Sequence, residues 1–378
     1  KKEAVPFRVE AVKGRLYESG ETLWVSRGSV LAFHPAAGSG FNKATVYGPV
    51  QESTTDIILF QRVDQNGVVR AESEPQRCKV QVDETGPEGS IRMIGIEKET
   101  FPLYSRKTET LEARFSDRES GLKSLAYCLY KQPRTLEQIV AEGDKAPWKE
   151  LEGPVTLGQE GAWCVAVRAE DRVGNVIYSL SPRVILDFTE PRIAIHGAKE
   201  GAANRQKAVL DIVFTDQNLK EESLKAELRH NRTGSVDIIP QRTKTKEGVR
   251  WKFQDISRKK ENDGHYTLIV SAEDLAGNKA ERKLNFSINR YGSVYSLDQT
   301  SEERIKTYYL SEEFPVVIRE VNVNRLVRTQ IACSRNGQIT VLREGKDYTV
   351  SGREREDKSH RYTYAIGADC FAKEGRYS

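Results

Sequence analysis

Residues 163–169 alternate, with Trp163, Val165, Val167 and Ala169 on one phase and Cys164, Ala166 and Arg168 on the other. Farther along, Tyr266, Leu268, Val270 and Ala272 hold the same phase against Thr267, Ile269 and Ser271. A period of two sends successive side chains to opposite faces, so each stretch predicts a strand with one face on a core. Further strands are predicted at 111–115, 125–130 and 210–214. Long helical periodicity is absent, and residues 135–142 predict one or two helical turns inside a loop. No apolar run exceeds six residues (125–130 and 162–167), too short for a membrane-spanning helix.

The chain repeats itself. Trp148 is followed by Gly161, Trp163 and Asp171 at offsets of 13, 15 and 23, and Trp251 by Gly264, Tyr266 and Asp274 at the same offsets. Tyr362 is followed by Gly375 and Tyr377 at 13 and 15. Asp83-x-Thr85-x-Pro87 returns 104 residues later as Asp187-x-Thr189-x-Pro191. The turn Asp171-Arg-Val-Gly-Asn175 returns as Asp274-Leu-Ala-Gly-Asn278, with a looser echo at Asp64-Gln-Asn-Gly67. These spacings divide the chain into four all-β units, at 1–86, 87–189, 190–290 and 291–378. About seven short strands per unit, separated by turn residues, predict two-sheet sandwiches. Short linkers stiffened by Pro87 and Pro191 predict an elongated string.

The Gly-x-aromatic pairs at Gly161/Trp163, Gly264/Tyr266 and Gly375/Tyr377 fit the corner where a tyrosine hydroxyl bonds back to the backbone, although Trp163 lacks the hydroxyl. Residues 148–175 (WKELEGPVTLGQEGAWCVAVRAEDRVGN) resemble the immunoglobulin-like repeats of bacterial surface and secreted proteins. Residues 115–130 (FSDRESGLKSLAYCLY) are similar to their Asp-containing turn before strand C, and VVIREVNVNRLVRTQI and LREGKDYTV to later modules of large Gram-positive surface proteins. The resemblance covers residues 85–378; the first unit departs from it, because Trp24 has no Gly-x-aromatic pair at the required offset. It implies tandem immunoglobulin-like or fibronectin type III-like sandwiches, extracellular at the cell surface or secreted, without catalysis and with partners that vary between members.

Charge and composition narrow the chemistry. With 59 basic and 55 acidic residues the net charge is +4, too even for a nucleic-acid binder working through bulk charge. Apolar residues at 38% and charged residues at 30% suit several small domains. The five cysteines and five histidines show no zinc spacing. Cys128 and Cys164 are expected as close neighbours on adjacent strands C and F, thiols outward, where a bridge would be strained. The first residues, KKEAVPF, lack a signal peptide's apolar stretch, so the chain reads as a mature region or an excised piece of a longer one.

No Gly-rich phosphate loop, G-x-S-x-G elbow or His beside a nucleophile is present, so no catalytic residue is named and no enzyme is expected. Asp83, Asp117, Glu119, Asp171 and Asp187 are oxygen donors of the kind calcium takes between tandem sandwiches. The same residues suffice as turn formers, so the expectation is no metal and no cofactor. Tyr104, Tyr130, Tyr308 and Tyr309 are the candidate exposed aromatics for a glycan, and the charge runs 242–252 and 353–361 read as solvated strand edges or hairpins. The expected function is a non-catalytic structural or adhesive segment of a larger bacterial cell-surface protein, partnered by its own neighbouring modules and an unknown protein or glycan ligand. The alternative is a set of accessory modules of a secreted carbohydrate-active enzyme whose catalytic domain lies elsewhere. Gly161 and Gly264 each precede their turn Asp by 10 residues, which would place the turn after Gly375 at 385, so the fourth unit is expected to be incomplete, its polypeptide continuing or its missing strands supplied by another chain.

Overall fold

The computed structural model describes residues 5–96, 100–306, 310–354 and 359–378. The chain divides into two compact units, Lys1–Phe188 and Thr189–Ser378, each all-β apart from short helices.

The first unit holds two apolar cores. One packs Leu31 and Phe33 of one sheet (Phe7–Lys13, Ser29–Pro35, Thr45–Val50) against Val25 and Val80 of another (Leu16–Ser19, Thr22–Val25, Gln76–Val82, Thr54–Ile58). Trp24 lies on the half-exposed face of its strand, between buried Leu23 and Val25, and anchors no corner. The second core joins Met93, Leu111 and Leu157 from the sheet Glu88–Met93, Glu109–Ser116, Val155–Leu157 to Trp163, Val165, Val167 and Leu186. The last four lie in the sheet built on Gly161–Asp171, flanked by Leu122–Tyr130 and Val184–Leu186. The alternation predicted at 163–169 is therefore the core-facing pattern of the central strand.

Its other phase is also buried. The predicted turn at 135–142 is a helix, Leu136–Glu142, whose N-cap Thr135 Oγ1 accepts from Gln138 N while Gln138 Oε1 accepts from Thr135 N. Its Ile139 is fully buried in a satellite cluster with Cys128, Ala146 and Ala166, covering the outer face of the sheet. The cysteines thus sit on neighbouring strands as predicted, but their thiols do not face solvent. Cys128 pairs with Ala166 and Tyr130 with Cys164, a diagonal offset of the kind that spans about 7–8 Å, and both thiols are free. Burial pushes the Cys128 thiol up, away from the reactive thiolate.

In the second unit, a 17-residue core around Ile212, Phe214, Trp251, Tyr266 and Leu268 joins two sheets. One is Arg192–His196, Asp211–Thr215, Gly248–Lys252 and Gln241–Thr245; the other is Ala203–Asn204, Lys279–Ile288, Gly264–Glu273, Lys225–His230 and Gly234–Val236. A further core, with Val316, Tyr348, Tyr364 and Ile366, lies on the sheet Val294–Leu297, Val316–Asn322, His360–Ile366, Tyr348–Glu354. Opposite it stands the hairpin Ala332–Arg335/Gln338–Val341, with residues 376–378 pairing beside it: Ser334 N donates to Ser378 O at 2.8 Å and Ser378 N to Ser334 O at 2.9 Å.

The aromatic repeat needs one correction. Trp251 faces Ile212 across the ladder and Tyr362 faces Glu320 in the matching pair of strands, so these two are equivalent. Trp148 is not: it precedes the short strand Lys149–Glu150 on the opposite sheet and packs on Tyr178, ring centroids 5.8 Å apart. Its 13-residue offset is coincidental, because the strand corresponding to that of Trp251 is Val155–Leu157.

The corner itself forms at each of the three predicted pairs. Tyr266 hydroxyl donates to Asn262 O at 2.6 Å, and Tyr377 hydroxyl makes the same bond to Lys373 O. Trp163, without a hydroxyl, donates its indole N–H to Gln159 O at 2.8 Å, so every corner bonds four residues back. Gly264 serves close approach, not a turn: a Cβ there would lie 2.0 Å from His230 Nε2. Burial pushes the Tyr266 hydroxyl up to about 12, so it stays a donor at every ordinary pH. Tyr266→Phe keeps the stack on Phe286 (5.4 Å) and should cost about 1 kcal/mol, read as a lower urea midpoint at unchanged slope.

Candidate functional site

Three turns of the first unit meet at the residues that follow strand Gln76–Val82. Asp83 is fully buried; its N–H donates to Val25 O, its Oδ1 accepts from Thr85 N (3.1 Å) and its Oδ2 from Ser120 N (3.0 Å). Asp117 Oδ1 accepts from Glu119 N and Gly121 N. Asp171, also fully buried, accepts from Val173 N (2.9 Å) and Asn175 N (2.8 Å) through Oδ1. Asn175 closes the arrangement: its amide N–H₂ donates to Asp171 Oδ2 at 2.6 Å, Thr85 O at 3.1 Å and Asp83 O at 3.2 Å. The D-x-x-G-N turn, with Gly174 at φ +93°, therefore folds itself and grips the segment joining the two sandwiches. Arg172, inside the same turn, lies over the Tyr17 ring of the first sandwich at 4.5 Å.

Every Asp thus serves as the predicted turn former. What the sequence did not reveal is that Asp83, Asp117 and Asp171 converge, one carboxylate oxygen of each lying within 4.8 Å of the others. The neighbouring cations are engaged elsewhere, Arg27 with Glu84 and Lys123 with Glu170. Glu119 stands at the edge, accepting from Thr85 Oγ1, and its carboxyl is held above the usual range by its hydrogen bond with Asp83, then by burial. Clustered carboxylates repel, and burial makes the repulsion expensive. Two chemistries relieve it: a proton kept by Glu119, or a hard divalent cation, which takes oxygen ligands at about 2.3–2.6 Å and so fits oxygens this close together.

The second unit repeats the turns. Asn218 N donates to Asp216 Oδ1 at 2.6 Å, and Asn278 donates to Asp274 through its backbone (2.8 Å) and its side chain (2.7 Å). Asp216 was missed in the sequence, yet Phe115-Ser-Asp117 and Phe214-Thr-Asp216 are the same signal. Asp187, the repeat of Asp83, is buried, with its N–H on Ser105 O. Further on, Asn289 stands 102 residues after Asp187, as buried as Asp83, and Asn322 follows Asp216 by 106. Asn289 donates to Val321 O at 2.8 Å and accepts from Ser287 Oγ at 2.6 Å. That junction is held by amides and carries no carboxylate at these positions.

Tyr104 is half-buried on Leu103–Ser105, Tyr130 is packed under the helix with its hydroxyl on Glu142 (2.9 Å), and Tyr308 and Tyr309 lie outside the described residues. Gln241–Thr245 is an exposed, charged edge strand, as expected of the first charge run; part of the second lies outside the described residues.

Residues 212–290 match the bacterial Ig-like domain family. The matched segment runs through most of the Trp251 sandwich, including its corner and its D-x-x-G-N turn. No curated protein matches the chain. Among solved structures, a tetra-tandem repeat in the extending region of a large adhesion protein is 12% identical, with 94% of this chain and 90% of that chain covered at a TM-score of 0.32. The ICAM-5 D1–D4 ectodomain fragment is 13% identical, covering 96% and 98% at 0.31. The fibronectin(III)-like modules of Clostridium thermocellum CbhA are 10% identical, covering 53% and 94% at 0.23. The chain is a tandem array of Ig-like β-sandwiches, and among its described residues no helix is long and apolar enough to cross a membrane.

One consequence concerns Asn175. Truncation to alanine leaves Asp171 Oδ2 without its donor and two carbonyls without theirs, inside a partly buried network. Asn175→Ala should cost the first unit about 1–2 kcal/mol, measured by urea unfolding, and should raise cleavage between residues 83 and 87 in limited proteolysis.

Proposed function

We propose that the chain is a non-catalytic structural or adhesive segment of a larger, Gram-positive-type cell-surface protein, displayed outside the cell. Its modules run 1–86, 87–189, 190–290 and 291–378. The observation that carries this reading is where the distinctive residues go: the repeated Asp, Asn, Gly and aromatic positions are used on corners, turns and junctions. Each apolar core draws its residues from one such stretch. An array built this way transmits load or sets distance. Single-molecule extension tests it: a separate unfolding event for each module supports the reading, and a single event for the whole chain rejects it. Retention of the chain on insoluble polysaccharide would favour the alternative, accessory modules of a secreted carbohydrate-active enzyme.

The three converging carboxylates favour a second, compatible reading, in which a divalent cation tightens the junction at Asp83. Calcium added after chelation should raise the melting midpoint of the wild type and leave that of Asp117→Asn unchanged. An equal response from both proteins rejects it.

A further inference from the structure

The inner face of the sheet Val294–Leu297, Val316–Asn322, His360–Ile366 carries a charge where its neighbour carries none. Glu320 pairs with Tyr362 as Ile212 pairs with Trp251 in the preceding sandwich, and Ile212 is a fully buried core residue. Glu320 is equally hidden, 2% exposed. Its Oε2 accepts from the Tyr364 hydroxyl at 2.5 Å, while its Oε1, shielded from solvent, has no hydrogen-bond partner among the described residues. A carboxylate at a core position with one oxygen unsatisfied is costly unless something else meets that oxygen.

The surroundings are a cavity. Glu320, Tyr364, Tyr295, Leu297 and Ile318 line a cleft of about 700 Å³ closed on its other side by residues 326–332. That volume lies in the range of small-molecule sites. Tyr295 sits directly across the ladder from Glu320 and is 56% exposed, so its ring forms the rim. Burial and then Glu320 push both phenols upward, which keeps them neutral beside the carboxylate. Arg328 lines the mouth without neutralising Glu320, and Ser296, Thr329 and Gln330 add polar groups to the walls.

The geometry selects the kind of cation. A guanidinium is recognised best by two free oxygens in a fork, and Glu320 offers one. A divalent metal needs several oxygen ligands, and the other acid of the lining, Glu302, is exposed and paired with Lys306, which leaves the Glu320 carboxylate alone at the floor. An ammonium is a compact point donor that one carboxylate oxygen satisfies and that tyrosine faces attract. We propose that this cleft binds a small ligand through a primary ammonium group held by the Glu320 carboxylate, with the rings of Tyr295 and Tyr364 beside it. An amino sugar and a lysine side chain both present that group. The inference goes beyond the display role and stands on this cleft alone.

Four probes test it on the whole 378-residue chain: D-glucosamine, N-acetyl-D-glucosamine, Nα-acetyl-L-lysine amide and its Nε-acetylated form. Saturation-transfer NMR and calorimetry should show binding by at least one ammonium probe, none by its acetylated counterpart, and an affinity at least about tenfold weaker in Glu320→Gln. Binding by glucosamine alone identifies a sugar amine, and by the lysine amide alone a protein side chain. No binding by either ammonium probe, equal binding by the acetylated forms, or unchanged affinity in Glu320→Gln overturns the proposal. If Glu320→Gln fails to fold, Tyr295→Leu at the exposed rim decides: several-fold weaker binding supports the proposal, and unchanged affinity overturns it.

Discussion

Phe214→Ala should lower the stability of the sandwich built on Asp211–Thr215 and Gly264–Glu273 by about 3–5 kcal/mol. Phe214 is fully buried on Asp211–Thr215, a strand paired on both sides, and its ring meets Trp251 edge-on with centroids 5.2 Å apart. Neighbours held in two ladders cannot collapse into the vacated space, which places the cost at the upper end for a large-to-small change. Small domains have about 5–15 kcal/mol in total, so the module becomes marginal. Because this core shares no residue with the core around Phe33 and Phe60, the effect should stay local. Calorimetry should show one transition moving down and those of the first unit staying in place. If every transition shifts together, the cores are coupled and the modular reading fails.

That locality was legible in the sequence because period-two alternation and turn spacing are local properties. The phase at 163–169 and at 266–272 fixed both core strands, and Asp171 and Asp274 fixed their closing turns. What needed the third dimension failed in physically specific ways. Trp148 and Trp251 share an offset but lie on opposite sheets, because loop length between strands is free to vary while side-chain chemistry looks the same. Trp163 seemed to lose its corner bond, whereas an indole N–H reaches the same carbonyl as a phenol. Cys128 and Cys164 had the right strands, but the helix placing Ile139 over that face depends on tertiary contact rather than on sheet alternation.

The candidate sites were legible only in part. Asp83, Asp117 and Asp171 are 34 and 54 residues apart in succession, so their convergence is a result of topology and not of any motif. Glu320 is one acid within the strand VVIREVN, and a buried acid cannot be told from an exposed one until its phase is tied to Tyr362. Asn289 in place of Asp is the clearest sequence signal overlooked. It shows that the junction geometry tolerates a neutral amide, which makes the charge at Asp83 a separate property requiring its own explanation.

Acid should weaken the second unit through one side chain. His265 lies on Gly264–Glu273, its Nε2 buried and without a hydrogen-bond partner among the described residues. Burial first, then the positive charges of Arg361 and His230, push its pKa down from 6.5 to about 4. The unfolded chain therefore takes up a proton near pH 6.5 that the folded chain refuses until about pH 4. Stability is complete above the higher value, falls as the pH drops through the window, and levels off below the lower one. At about 1.4 kcal/mol per pH unit the loss by pH 4 is about 3 kcal/mol. His265→Gln, similar in reach and unable to titrate, should lose that much less than the wild type between pH 7 and pH 4. Urea unfolding at intervals across this range measures the difference, and the carboxylates common to both proteins cancel. Parallel curves for the two proteins would show that the imidazole is protonated in the folded chain without penalty. The strand would then have to open toward water on acidification, which hydrogen exchange at the Thr267 and Ile269 amides would reveal as lost protection.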